Sequence, residues 1–192
     1  MKEVTLQVPD GKKVEWREVN GVTVPVLIDE QKQDNRPVTE RIKTFEDALA
    51  DLNKRAENGD KTAVELIDDW NGLVTDSTDL IAYHKIRIIA YALNEGWEPQ
   101  FVKGEYRWFP WFDLYTQQEI DNMDEEEKGC VVGRSNYYSS AYAGVAYSLT
   151  PNASSSSYAY LGGRLCFKSE ALAEYAGTQF LKEFADFMMF TK

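Results

Sequence analysis

Histidine and cysteine are scarce in this chain, and their scarcity removes whole classes of chemistry. Of 192 residues one is His and two are Cys. Cys130 and Cys166 are too few for a disulfide framework and lack the spacing of a metal knuckle, and His84 has no second imidazole to join it. The expectation is therefore no bound metal and no cofactor, while a single Cys130–Cys166 disulfide stays open. Apolar runs are also short. Nothing approaches the roughly 18 consecutive apolar residues of a membrane-spanning helix, and no membrane association is expected. The opening MKEVTLQVPDGKK has no apolar core, so it reads as no secretory signal and the expected location is cytoplasmic. The chain also lacks a GxGxxG, a P-loop and a GxSxG elbow, which leaves nucleotide-cradling and serine hydrolysis without support.

What is present is acid and aromatic rings. The 32 Asp and Glu outnumber the 21 Lys and Arg, a net charge of −11 that repels nucleic acid and anionic membranes. Yet residues 129–168 hold no carboxylate, only Arg134, Arg164 and Lys168 among the charges, with Tyr137, Tyr138, Tyr142, Tyr147, Tyr158 and Tyr160 set among serines, glycines and alanines. Hydrophobic residues make up 43% and charged ones 28%, ordinary values for a folded domain with a sizeable core and a small appendage.

Periodicity gives the organisation. EVTLQV, KKVEWREV and VTVPVLI alternate, with Pro9-Asp10-Gly11 and Asn20-Gly21 as turns, so a three-stranded β-meander arm is predicted over residues 1–30. Polar residues 31–39 read as a linker, and 40–192 as the main domain. Thr44 and Asp47 form a capping-box pattern ahead of Phe45, Leu49 and Leu52. A second helix follows Asp60, with Val64, Ile67 and Trp70 as its apolar face. The stretch from Ser77 to Leu93 is apolar almost all round, as a central helix is, and Asn94-Glu95-Gly96 stops it. Strands are expected on both sides of Pro110 and within the tyrosine-rich window, with TPNASSSS as a tip between GVAYSL and YAYLGGRLCF. Tyr147 is expected across that hairpin from Tyr158 and Tyr160. Ser169 caps a final helix whose stripe is Ala173, Ala176, Phe180, Phe184 and Phe187. The class is α+β: an N-terminal meander arm, a helical segment, and a tyrosine-rich antiparallel sheet closed by a C-terminal helix.

Five constellations invite chemistry. Gly162-Gly163 lies too far from the Ser169 cap to cradle phosphate, and reads instead as a bulge or a close backbone approach. Cys166 would need a base, which only folding could bring from His84. Asp121, Asp124, Glu125, Glu126 and Glu127 are contiguous rather than convergent, and read as a solvated face. The block YRWFPWF, Tyr106 to Phe112, can be core or a stacking platform for sugars or bases. Core is favoured, but so many rings around one proline exceed what one strand face can bury. Tyr, Ser and Gly together also make a paratope-like composition. The candidate binding residues are therefore Tyr147, Tyr158, Tyr160, Arg134, Arg164, Trp108 and Trp111.

At RIKTFEDALADL, IIAYALNEGWEP, YRWFPWFD and GGRLCFKSEALAEYAGTQFLKEF, the chain resembles a family of short proteins from gut Bacteroidota and their phages or prophages. The pattern KTFEDA, ALNEGW, PWF, RLCFKS covers most of residues 39–188. The resemblance implies a mobile-element context and a cytoplasmic or virion location; it brings no reaction, so no catalytic residue is transferred from it. The expected function is a non-enzymatic binding or structural accessory protein. Its expected partner is a protein or small polar ligand rather than nucleic acid. The alternatives are a divalent-metal hydrolase using carboxylates and an acidic mimic of nucleic acid.

Overall fold

The computed structural model describes residues 7–19, 21–29, 34–132, 144–154 and 163–189. The protein is α+β, and the chain divides into two compact units, Met1–Arg36 and Pro37–Lys192.

In the first unit, β1 (Lys12–Val19) and β2 (Val22–Asp29) form an antiparallel hairpin with Val19 opposite Val22. The two-residue connection needs a left-handed backbone, and Gly21 supplies it at φ +78°. Pro25 opposes Trp16, where a two-stranded ribbon has only edges and a missing N–H can be tolerated. The third strand expected before Pro9 falls mostly outside the described residues.

The second unit begins with the short α1 (Val38–Arg41) and then α2 (Phe45–Glu57). The Thr44 hydroxyl accepts the Asp47 N–H at 3.1 Å and the Asp47 carboxylate accepts the Thr44 N–H at 3.0 Å, so the capping box is complete. Asp60 caps α3 (Lys61–Asn71) through the Ala63 N–H. Ala63 and Leu66 face inward there, and Val64 is exposed, a correction to the expected apolar face. The reason is register: the Asp60 cap starts the helix so that Ala63, Leu66, Ile67 and Trp70 share one side.

Helix α4 (Thr78–Leu93) is central, with α2, α3 and two later helices against it. Ile86, Ile88, Ile89 and Leu93 are fully buried, although Leu80 in its first turn is exposed. No helix among the described residues is long and apolar enough to cross a membrane.

Beyond α4, β3 (Tyr106–Trp108) and β4 (Trp111–Tyr115) flank buried Phe109 and Pro110. The short helices α5 (Gln117–Asn122) and α6 (Glu125–Gly129) follow, each with a capping box, and then β5 (Gly144–Leu149) and β6 (Asn152–Ser154). Within TPNASSSS, Asn152–Ser154 is a strand rather than part of a tip, and residues 155–157 lie outside the described residues. β5 pairs with β4 and β6 with β3, all antiparallel. Trp108 opposes Asn152 and Trp111 opposes Leu149, so the register of β3–β6 carries over to Trp111, after which a bulge between Trp111 and Phe112 shifts β4 by one residue and sets Phe112 opposite Tyr147. Pro110 and Pro151 interrupt the ladder between them, and the Phe109 N–H donates to the Pro151 carbonyl at 3.1 Å to bridge the gap.

RLCF is also not a plain strand. Gly163–Leu165 is a 3₁₀ turn, and Phe167 alone bridges antiparallel to Trp108. Ser169 caps α7 (Glu170–Gln179) as expected, but the final helix breaks at Phe180 and resumes as α8 (Leu181–Met188). The stripe survives the break, with Ala173, Ala176, Phe180 and Phe184 buried and Phe187 half-buried. Phe112 of β4 packs its ring on Phe184 at 5.1 Å between centroids.

Candidate functional site

The C-terminal end of α4 does two jobs at once. Asn94 is buried, and its amide reaches across the chain, donating to the Cys166 carbonyl at 2.8 Å and accepting the Lys168 N–H at 2.9 Å. That pair of bonds mimics a strand pairing and fixes the Gly163–Lys168 segment against the helix. Glu95 then takes Lys168 at 2.9 Å and Arg41 at 3.0 Å. The Lys168 ammonium, with help from Arg41 and Arg55, holds its carboxyl below the usual glutamate range.

Beside this junction lies a cleft of about 510 Å³. Helix α3 contributes Thr62, Glu65 and Leu66, and α4 contributes Arg87, Tyr91 and Asn94. The chain after α4 supplies Trp97, Glu98, Pro99 and Phe101, and Gly163 and Arg164 close the wall. The Tyr91 hydroxyl donates to both oxygens of Asp60 at 2.9 and 3.0 Å; burial and that carboxylate push the phenol up to about 12, so it stays protonated. Arg87 bonds Asp69 at 3.0 Å and sits over the Tyr83 ring. The lining thus combines flat aromatic surface with two guanidinium groups and two carboxylates.

Gly163 is where backbone approaches side chain. A Cβ there would come within 2.9 Å of Pro99 and 3.1 Å of the Phe101 ring, so this glycine of the pair marks a close approach. Phe101 is half exposed with φ +56°, an unusual backbone for a bulky residue. It is held there by Glu105, whose carboxylate accepts the Gln100 N–H at 3.0 Å and the Phe101 N–H at 2.9 Å.

Behind that ring is Arg107. It occupies the inward position of β3, is 0% exposed, and its Nε and both terminal nitrogens find no hydrogen-bond partner among the described residues. Its guanidinium carbon lies 5.2 Å from the Phe101 ring centroid.

The expected site residues scatter. Arg164 lines the cleft and is exposed. Trp108 is half-buried against the core cluster, and Trp111 stays 43% exposed beside Leu149. Tyr147 opposes Phe112 of β4, half-buried; its ring lies against Gly177 of α7 and its hydroxyl is 2.7 Å from that of Thr150. Tyr158, Tyr160 and Arg134 lie outside the described residues.

Cys130 and Cys166 are both free thiols. Burial pushes the Cys166 thiol up to about 11, more than nearby Arg107 draws it down, and the thiol donates to the Gly163 carbonyl at 3.1 Å. His84 is ten residues before Asn94 on α4, about 15 Å along a helix axis, which separates it from Cys166. Among the acids, Asp124 caps α6, Glu127 closes its capping box, and Glu125 bonds Lys128. No group of three or more His, Cys, Asp or Glu placed to hold a metal occurs among the described residues.

Sequence reasoning missed Arg87, Tyr91, Asn94, Trp97, Phe101 and Arg107. One signal was present for Arg107: a charge at a position that alternation turns inward. No family model, no curated protein and no solved structure matches this chain.

Proposed function

We propose that this is a non-enzymatic binding protein whose ligand is a small molecule with a flat face and a polar edge. The cleft at the end of α4 carries the reading. Trp97, Tyr91 and Phe101 offer stacking surface, Arg87 and Arg164 offer donors, and a volume of about 510 Å³ suits a small molecule. Cys166 is buried, residues of the acidic run cap α6 and pair with Lys128, and neither cysteine nor that run lines this cleft, which supports binding over hydrolysis. The Bacteroidota and phage resemblance supplies the proposed setting, in the cytoplasm or a virion.

The test is saturation-transfer NMR with a panel of nucleosides, aromatic amino acids, aromatic carboxylates and neutral monosaccharides, alongside Trp fluorescence. Glu65→Trp, at an exposed position lining the cleft, should fill it and abolish the signal without loss of fold. Equal binding by that variant, or no binding by any panel class, refutes the reading.

A second reading rests on a separate observation: Trp111 and Leu149 face each other across the ribbon, 43% and 51% exposed. Such a pair in the tyrosine-rich region is suited to a protein partner. A photo-crosslinking residue at position 111, used in Bacteroidota cells, should capture one discrete protein; a smear equal to that from position 65 refutes it.

A further inference from the structure

The guanidinium of Arg107 is the feature that packing leaves unexplained. A charge taken fully out of water is costly unless it is paired and hydrogen-bonded, and here three nitrogens lack any hydrogen-bond partner among the described residues. The cation–π contact with Phe101 returns part of that cost without meeting a single N–H. An apolar side chain of the same length would serve the packing better.

The position of Phe101 supplies the rest. Its ring belongs to the cleft wall and lies against the Arg107 guanidinium, and the residue is 52% exposed, so it also borders solvent. Its backbone sits at φ +56°, and Glu105 accepts the N–H groups of both Gln100 and Phe101 there. The structure therefore sets a half-exposed ring, on a strained backbone, between the cleft and a buried fork of donors.

We propose that Arg107 is the anion-binding residue of the cleft and that the Phe101 ring is the gate in front of it. This rests on the cleft being a ligand site, and it specifies the ligand's class: a small aromatic monocarboxylate. A planar guanidinium matches a carboxylate in two parallel hydrogen bonds. The flat body of the ligand stacks on Trp97 and Tyr91. Glu65 and Glu98 at the cleft disfavour a more highly charged anion such as phosphate.

The experiment uses calorimetry on the full chain with benzoate, nicotinate and indole-3-carboxylate, with benzamide as neutral control and inorganic phosphate as second anion. At least one carboxylate should bind saturably, with benzamide and phosphate about tenfold weaker or more. Arg107→Met should lose that binding and melt at a higher temperature than the native protein, because a buried unpaired charge has gone. Arg107→Lys, which keeps charge without the fork, should fold and bind about tenfold more weakly. Benzamide or phosphate binding as tightly as the carboxylate overturns the proposal, as does undiminished binding by either Arg107 variant. Arg107→Met melting below the native protein, or failing to fold, overturns it by making the arginine structural. Binding that Glu65→Trp abolishes but Arg107→Lys leaves intact keeps the cleft and refutes the arginine's role. Failure of all three carboxylates while another class binds does the same, and silence from every probe refutes both.

Discussion

Replacing Asn94 by alanine should cost the main unit about 3 kcal/mol, and the figure comes from two unequal losses. The Cys166 carbonyl is fully buried and would keep no partner for the 2.8 Å bond it now accepts, a loss of roughly 2–3 kcal/mol. The Lys168 N–H belongs to an exposed residue and can turn to water, so losing its 2.9 Å bond costs only about 0.5–1 kcal/mol. Helix termination itself survives, because the backbone N–H of Asn94 makes the C-terminal bond to Ala90. Urea unfolding followed by helical circular dichroism should show a lower midpoint with an unchanged slope. Asn94→Asp keeps the acceptor for Lys168 but turns a carboxylate on the Cys166 carbonyl. It should lose as much at pH 7 and recover part below about pH 4, where a protonated acid can donate again. Asn53→Ala, which removes an exposed 2.9 Å bond to the Leu49 carbonyl, should cost less than about 0.5 kcal/mol. A loss below about 1 kcal/mol for Asn94→Ala would refute the claim that this amide ties the Gly163–Lys168 segment to α4.

Three further outcomes follow from packing and charge. Phe180→Ala should lose about 3–5 kcal/mol in the same assay, since the ring is 2% exposed where α7 meets α8; under about 1 kcal/mol would place it in solvent. Gly177→Ala should lower the melting temperature despite alanine's helix preference, because a Cβ would meet Pro110 and the Tyr147 ring at 2.6 Å; a raised one would show that α7 does not touch the ribbon. For Glu95, the folded value lies below the unfolded one, so its stabilisation is present above about pH 4.3 and fades as pH falls through the folded value. Glu95→Gln should therefore be less stable than the native protein at pH 6, by at most about 1 kcal/mol because the group is half exposed, and equal to it near pH 3. A difference that grows on acidification would contradict the ion-pair assignment.

Local rules were enough for where α2, α3 and α7 begin. Thr44, Asp60 and Ser169 are N-caps because a short side-chain oxygen can meet a free N–H three residues on, and that needs nothing distant in the chain. Gly21 likewise serves the hairpin turn locally, through its left-handed backbone. Apolar spacing made α4 central, since apolar residues cover most of its circumference. Long-range contact decided the rest. The ribbon pairs β3 with β6 and β4 with β5 across a proline break, a register that no dipeptide encodes. Val64 and Leu80 are apolar yet exposed, because burial depends on what lies opposite. The cleft joins α3, α4 and Gly163-Arg164, segments up to a hundred residues apart in the chain. Arg107 carries only the signal of a charge at a position that alternation turns inward within an aromatic run. Only the strand's inward turn and the ring of Phe101 bury it, so burial and pairing belong to the folded chain and not to the residue.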